Sequence, residues 1–167
     1  FSWLKTYYEP TQHPDASELV RRAHKQFRDV IFRGIDFSSI RSVMDFGCGY
    51  GTDLRNLASE HAHLTADGYT LSARQAEFGN RKAREAGLAP RMHIYRRDSG
   101  QQDFPSSYDL FIGFDVAHYV RDKHALFGNI DRHLNDGGFV VLADFISATV
   151  SEIRHEPTNT FFPTVGG

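Results

Sequence analysis

Val43-Met44-Asp45-Phe46-Gly47-Cys48-Gly49-Tyr50-Gly51-Thr52 is the stretch whose reading decides the fold. A short apolar strand ends in Asp45, glycines follow at every second position, and Thr52 opens an amphipathic run through Leu54, Leu57 and Ala58. The pattern predicts strand, tight turn, helix. Glycine suits such a turn because a backbone that bends sharply and lets a ligand approach the N–H groups of a helix start has no room for Cβ atoms. The turn is therefore a cradle for a nucleotide-like ligand. Its spacing is G-x-G-x-G, not the dinucleotide fingerprint G-x-G-x-x-G, and a carboxylate stands two residues ahead of the first glycine. That carboxylate repels a pyrophosphate and suits a cationic or zwitterionic ligand. Both features disfavour a nicotinamide-dependent reductase.

At 167 residues and 40% hydrophobic composition, the chain can bury one sizeable core. A formal net charge of -2 argues against a general nucleic-acid footprint. The basic run Arg81-Lys82-Ala83-Arg84-Glu85 reads as the solvated face of a helix. The single cysteine, Cys48, excludes an internal disulfide and reads as a small filler in the turn. No apolar run approaches the ~18 residues of a membrane helix, and no signal peptide opens the chain. The expectation is a soluble, cytoplasmic protein without membrane or nucleic-acid partners.

Residues 1–13 are aromatic and irregular, with Trp3, Tyr7 and Tyr8, and two roles are open to them: a flap over the ligand, or packing on the sheet edge. Asp15 and Glu18 form a candidate capping box for a leading helix carried by Leu19, Ala23, Phe27, Val30 and Ile31 and stopped by Gly34. Residues 62–68 read as a second strand. Ser72 and Gln75 read as a capping box on a second helix running to about Gly87. Met92 to Tyr95 reads as a third strand and leads to Arg96-Arg97-Asp98-Ser99. Tyr108 to Phe114 reads as a fourth, continuing into Asp115-Val116-Ala117-His118, and a helix follows from about Asp122 through Leu134. After the turn Asn135-Asp136-Gly137-Gly138, the apolar Phe139-Val140-Val141-Leu142-Ala143 predicts a fifth strand buried on both faces. Strand and helix alternate, so the expected fold is α/β: a Rossmann-like, doubly wound, mostly parallel sheet with helices on both faces. The expected division is 1–40 for the flap and leading helix, 41–146 for the ligand-binding core, and 147–167 for the start of a truncated substrate-side or lid segment.

Asp45-Phe46-Gly47-Cys48-Gly49-Tyr50-Gly51 resembles motif I of class I S-adenosylmethionine-dependent methyltransferases, whose cofactor carries an ammonium, a sulfonium and no phosphate. Gly68-Tyr69-Thr70-Leu71-Ser72 with Gln75 resembles the G-x-T-L-S-x-x-Q variant of cyclopropane-type and natural-product methyltransferases. Together with Arg97-Asp98-Ser99, Phe114-Asp115-Val116-Ala117-His118 and Leu142-Ala143-Asp144-Phe145-Ile146-Ser147, these segments resemble the O-methyltransferase domains of modular polyketide synthases. The resemblance implies a cofactor site of Asp45, Phe46, Gly47, Gly49, Thr70, Leu71, Gln75, Asp98, Ser99 and Phe114, with S-adenosylhomocysteine as the product. Thr70 stands where many such folds place a ribose-gripping acid, and Asp67 is the nearest carboxylate. Asp98 has a second reading, as the cap of its own turn. The implied partners are an acyl carrier protein bearing the polyketide intermediate and the neighbouring synthase domains. After the fifth strand the family adds a helix and two strands, for which this sequence has too few residues.

Methyl transfer to an aliphatic hydroxyl needs a base, and histidine is the residue whose free pKa lies nearest the working range. His118 is one candidate, by its place beyond the fourth strand. His155 followed by Glu156 is the other. His61-Ala62-His63 would put two imidazoles on one strand face with no third ligand, so no metal is expected. C-methylation of an acyl chain and a catalytically silent cofactor-binding module are the alternative functions.

Overall fold

The computed structural model describes residues 16–144. They fall into two compact units, one ending at Ile35 and the other beginning at Asp36. In the first, α1 (Ala16–Ile31) carries exposed ion pairs, Arg21 with Glu18 and Lys25 with Asp29. The helix stops three residues before Gly34, which takes up the left-handed φ of +91°. The expected Asp15 cap and the aromatic opening lie outside the described residues.

The second unit is built on a parallel sheet of five strands in the order β3-β2-β1-β4-β5. The strands are β1 (Ser42–Asp45), β2 (Thr65–Thr70), β3 (Met92–Arg96), β4 (Tyr108–Phe114) and β5 (Leu134–Ala143). The helices are α2 (Thr52–Glu60), α3 (Ala73–Glu85) and α4 (Lys123–His133). β1 is central, with β2 on one side and β4 on the other, so the winding direction reverses at its carboxyl end. That is where ligands bind in open parallel sheets. The register aligns Asp45 with Gly68 and Ile112, and Phe114 with Ala143, bringing these strand tips to one edge.

Helices cover both faces, as the alternation predicts. On one face α3 packs so closely that a Cβ on Gly79 would stand 2.3 Å from Ile94 Cδ1 and 2.8 Å from the Tyr50 carbonyl. On the other, Met44, Phe46, Tyr69, Phe104, Phe111, Leu126 and Ile130 form a continuous buried cluster that anchors α4. No helix among the described residues is long and apolar enough to cross a membrane.

Three boundaries differ from the expectation. β2 starts at Thr65, and His61 and His63 sit in the turn before it, where the His61 ring stacks on Phe37 at 4.7 Å and His63 Nε2 lies 3.0 Å from the Phe37 carbonyl. The pair is thus engaged locally on a turn and does not line a strand face. Ser72 Oγ does cap α3 by accepting from Gln75 N, but the Gln75 side chain turns away to Thr70, so the capping box is half formed. Finally, β5 begins directly after α4, with Gly137 at φ +75° and a register shift opposite Tyr108–Leu110 in place of a separate turn. β5 is not buried on both faces: Phe139, Val140 and Leu142 are each at least 40% exposed. Among the described residues it is an outer strand, paired with β4 alone.

Candidate active site

Asp45 closes β1 with only 5% of its surface exposed, and its Oδ1 accepts from the Gly47 N–H at 3.0 Å. Burial pushes its carboxyl up to about 7, outweighing the lowering by the Gly47 N–H, and the charge of Asp53 adds to the rise. Among the described residues no cation offsets this rise. The turn beyond it is fixed by Cys48 N–H donating to the Tyr69 carbonyl and Gly51 N–H to the Cys48 carbonyl, with Gly49 and Gly51 at φ +52° and +67°. Burial, with the charge of Asp45, pushes the Cys48 thiol up and keeps it protonated, in keeping with a filler.

The glycine turn lies against the segment that follows β4. A Cβ on Gly47 would stand 2.1 Å from Val116 Cγ2. Gly47→Ala is therefore expected to destabilise the fold by about 1–3 kcal/mol in denaturant unfolding, through overpacking, and to weaken S-adenosylhomocysteine binding at least ~10-fold. Adding Val116→Ala should recover most of both losses, because it vacates the space the new methyl needs.

Across the turn, Thr70 Oγ1 donates to Gln75 Oε1, and Gln75 Nε2 lies 4.0 Å from where a Cβ on Gly49 would be. Thr70 and Gln75 are thus coupled and face the glycines. Leu71 between them is 72% exposed. Asp67 points elsewhere: its Oδ2 accepts from the Tyr108 hydroxyl at 2.7 Å, and its Oδ1 lies 3.7 Å from His93. Thr70 and Gln75, and not Asp67, therefore border the glycine turn on this side. Asp98 caps its own turn, with Oδ1 accepting from Gly100 N–H and Oδ2 from Gln101 Nε2, and Ser99 beside it is buried. The Phe46 ring is in the core, so this residue offers the crevice only its backbone. Phe114 ends β4, partly buried.

His118 lies in a short 3-10 turn, Ala117–Tyr119, just past β4. Asp144, just past β5, organises that turn: its Oδ2 accepts from the backbone N–H groups of Val116, Ala117 and His118 at 3.2, 2.6 and 3.3 Å. Its Oδ1 lies 2.5 Å from His118 Nδ1. Both side chains are nearly buried, at 9% and 11% exposure. An ionised carboxylate only accepts, so this hydrogen bond assigns a proton to Nδ1. Asp115 Oδ1 is 3.8 Å from Nε2. Asp115, His118 and Asp144 offer ligand atoms within 4.8 Å of one another. The imidazole nevertheless stands between the two carboxylates, one at each ring nitrogen, and Asp144 is committed to the turn amides, an arrangement ill suited to convergence on one ion.

The structure thus brings Asp45, Gly47, Gly49, Thr70 and Gln75 together at one strand edge, with Val116 linking them to the turn that bears His118. His155 and Glu156 lie outside the described residues. Asp144 and Asp115 were not singled out by sequence reasoning. The one available signal for Asp144 was an acid at the tip of a strand expected to neighbour β4.

Residues 44–140 match the methyltransferase domain family. The chain belongs to the class I S-adenosylmethionine-dependent methyltransferases, the family to which the sheet order and the glycine turn also point. More narrowly, it is 41% identical over 147 residues to the polyketide synthase ThaQ of Burkholderia thailandensis, covering 88% of this chain and 7% of the synthase. It is also similar to the solved StiE O-methyltransferase domain, at 47% identity and TM-score 0.81 over 90% of this chain and 54% of that one. A third relative is the O-methyltransferase of a trans-AT polyketide synthase multienzyme of Brevibacillus brevis, solved with S-adenosyl-L-homocysteine. It is 38% identical, with a TM-score of 0.79 over 84% of this chain and 48% of that one. The chain spans about half the length of these solved domains. S-Adenosylmethionine is the cofactor of the family, and the residues here fit it: the buried Asp45 calls for a cation, and the glycine turn beside it is built for close approach.

Proposed function

We propose that this domain methylates a hydroxyl of a polyketide intermediate carried on an acyl carrier protein, working beside neighbouring synthase domains in the cytoplasm. The observation that carries the reading is the His118–Asp144 pair: a nearly buried imidazole held through Nδ1 by a nearly buried carboxylate. The likeness to O-methyltransferase domains of polyketide synthases supports the acceptor class.

In this reading Asp45 faces the ammonium of the cofactor, and the backbone of Phe46, Gly47 and Gly49 lines its approach. Thr70, Leu71 and Gln75 hold the ribose and adenine side, Asp98 and Ser99 meet the adenine, and Phe114 closes the floor. When bound, the cofactor supplies an electrophilic methyl group whose leaving group is a neutral thioether. His118 Nε2 accepts the proton of the acceptor hydroxyl as its oxygen becomes nucleophilic. Asp144 keeps the imidazole in the tautomer that can do so and stabilises the imidazolium that results. The buried turn fixes the ring and lowers the entropic cost of aligning base and hydroxyl.

The test is intact-mass analysis of hydroxyacyl-loaded carrier proteins after incubation with isotopically labelled S-adenosylmethionine. The expected result is a gain of one methyl, located on oxygen by fragmentation. A methyl on carbon would select C-methylation, and cofactor binding without any transfer would select the silent module.

A further inference from the structure

Ile94, in the middle of β3, touches the glycine turn with its side chain and α3 with both side chain and backbone. The side chain is 4% exposed and wedged between two glycines: a Cβ on Gly51 or on Gly79 would stand 2.3 Å from Ile94 Cδ1. Gly51 belongs to the turn and Gly79 to α3, so one isoleucine spaces the two. The backbone is held as well. β3 bonds β2 through groups such as the Arg91 carbonyl and the Arg97 N–H, and the N–H and C=O of Ile94 point to the opposite, outer edge. There the Asn80 side chain takes both: the Ile94 N–H donates to Asn80 Oδ1 at 2.9 Å, and Asn80 Nδ2 donates to the Ile94 carbonyl at 2.7 Å.

The buried face of α3 consists of small residues, Ala76, Gly79 and Ala83. Such a face permits close approach, but apolar contact is non-directional and gives little resistance to a helix sliding or turning on the sheet. A paired amide resists both, because two hydrogen bonds keep their length and angle only at one height and rotation of the helix. Gln75 stands five residues earlier on the same helix, roughly 7–8 Å along its axis. Its Oε1 accepts from Thr70, and its Nε2 faces Gly49. We propose that Asn80 is a positioning residue for the cofactor site: its amide, paired with the outer edge of β3, sets α3 on the sheet and so holds Gln75 against the glycine turn. The proposal rests on the reading of Gln75 as a cofactor-binding residue.

The test is a double-mutant cycle on the full chain, read as the dissociation constant of S-adenosylhomocysteine in calorimetric titrations of wild type, Asn80→Ala, Gln75→Ala and the double variant. Asn80→Ala should weaken binding ~5–10-fold, the size of about one hydrogen bond, with the turnover number at saturating cofactor within about twofold of wild type. In the Gln75→Ala background the same substitution should change the constant less than about twofold, because the group it positions is gone. A general loss of stability would act equally in both backgrounds and would not give that pattern. Asn80→Gln is the second variant should Asn80→Ala fail to fold. It keeps both amide groups one methylene further out, and should weaken binding ~2–5-fold in the wild-type background and leave Gln75→Ala unchanged. Wild-type affinity in both Asn80 variants, or losses that multiply in the double variant, would overturn the proposal. Wild-type affinity of Gln75→Ala would instead sink the reading of Gln75 on which it rests, whereas a weakened Gln75→Ala beside an unaffected Asn80→Ala would sink only the role of Asn80.

Discussion

Replacing His118 with alanine is expected to lower the turnover number by ~10²-fold or more while S-adenosylhomocysteine binding stays within about twofold. The size is that of base catalysis by a positioned imidazole. The separation of the two effects follows from where the residue sits. His118 belongs to the turn after β4, whereas the cradle is set by the end of β1 and by Thr70 and Gln75 after β2. Asp144 Oδ2 still gathers the N–H groups of Val116 and Ala117 in the variant, so the turn is retained and only the imidazole is lost. Asp144→Ala should be as slow and less stable, since it removes the acceptor of three backbone N–H groups as well as the partner of Nδ1. Steady-state kinetics and calorimetric titration check both variants. Turnover of His118→Ala within twofold of wild type would remove His118 from the mechanism and leave His155 with Glu156 as the candidate base.

The second large effect concerns pH. Burial raises the Asp45 carboxyl from its ordinary 3.8 to about 7. Because the folded-state value is raised, the folded protein binds this proton more tightly than the unfolded chain does. Between about pH 4 and 7 the folded domain therefore loses stability as pH rises, the reverse of the usual carboxylate case. A ligand presenting an ammonium to Asp45 needs the carboxylate ionised, so below about pH 7 binding must expel a proton. Affinity for S-adenosylhomocysteine should be level above pH 7 and fall up to ~10-fold per unit below it. Asp45→Asn should abolish that slope and weaken binding by ~10²-fold at pH 8, the cost of leaving the ligand cation without its buried partner. Calorimetric titrations from pH 5.5 to 8.5 measure both. A slope unchanged in Asp45→Asn would assign the proton to another group.

The legible parts of the sequence were those in which one local pattern carries the whole signal. Asp45 and the alternating glycines specify strand, turn and helix within ten residues, and the structure places them so. His118 was a candidate because β4 could be read from its apolar run, and the structure places it just past that strand tip. Asp144 was out of reach for the opposite reason: it meets His118 across 26 residues, only because β5 pairs with β4 in one particular register. Asp115 was hidden because a left-handed aspartate leaves no mark on composition or periodicity. The misreading of β5 is also physical. Phe139-Val140-Val141-Leu142 has the same composition whether its strand is central or outer, and exposure depends on neighbours that the run itself does not encode. β2 was placed too early because His61-Ala62-His63 alternates like a strand while its rings are anchored to Phe37.

The account rests on one crevice, between the carboxylate at the end of β1, the Thr70–Gln75 pair and the turn bearing His118. A crystal structure of the domain soaked with S-adenosylhomocysteine tests it most directly. The account predicts the ligand's ammonium against Asp45, its ribose beside Thr70 and Gln75, and its sulfur on the side of His118 Nε2. Density for the ligand at any other surface, or a bound ligand whose ammonium avoids Asp45 and whose sulfur lies remote from His118, would contradict it.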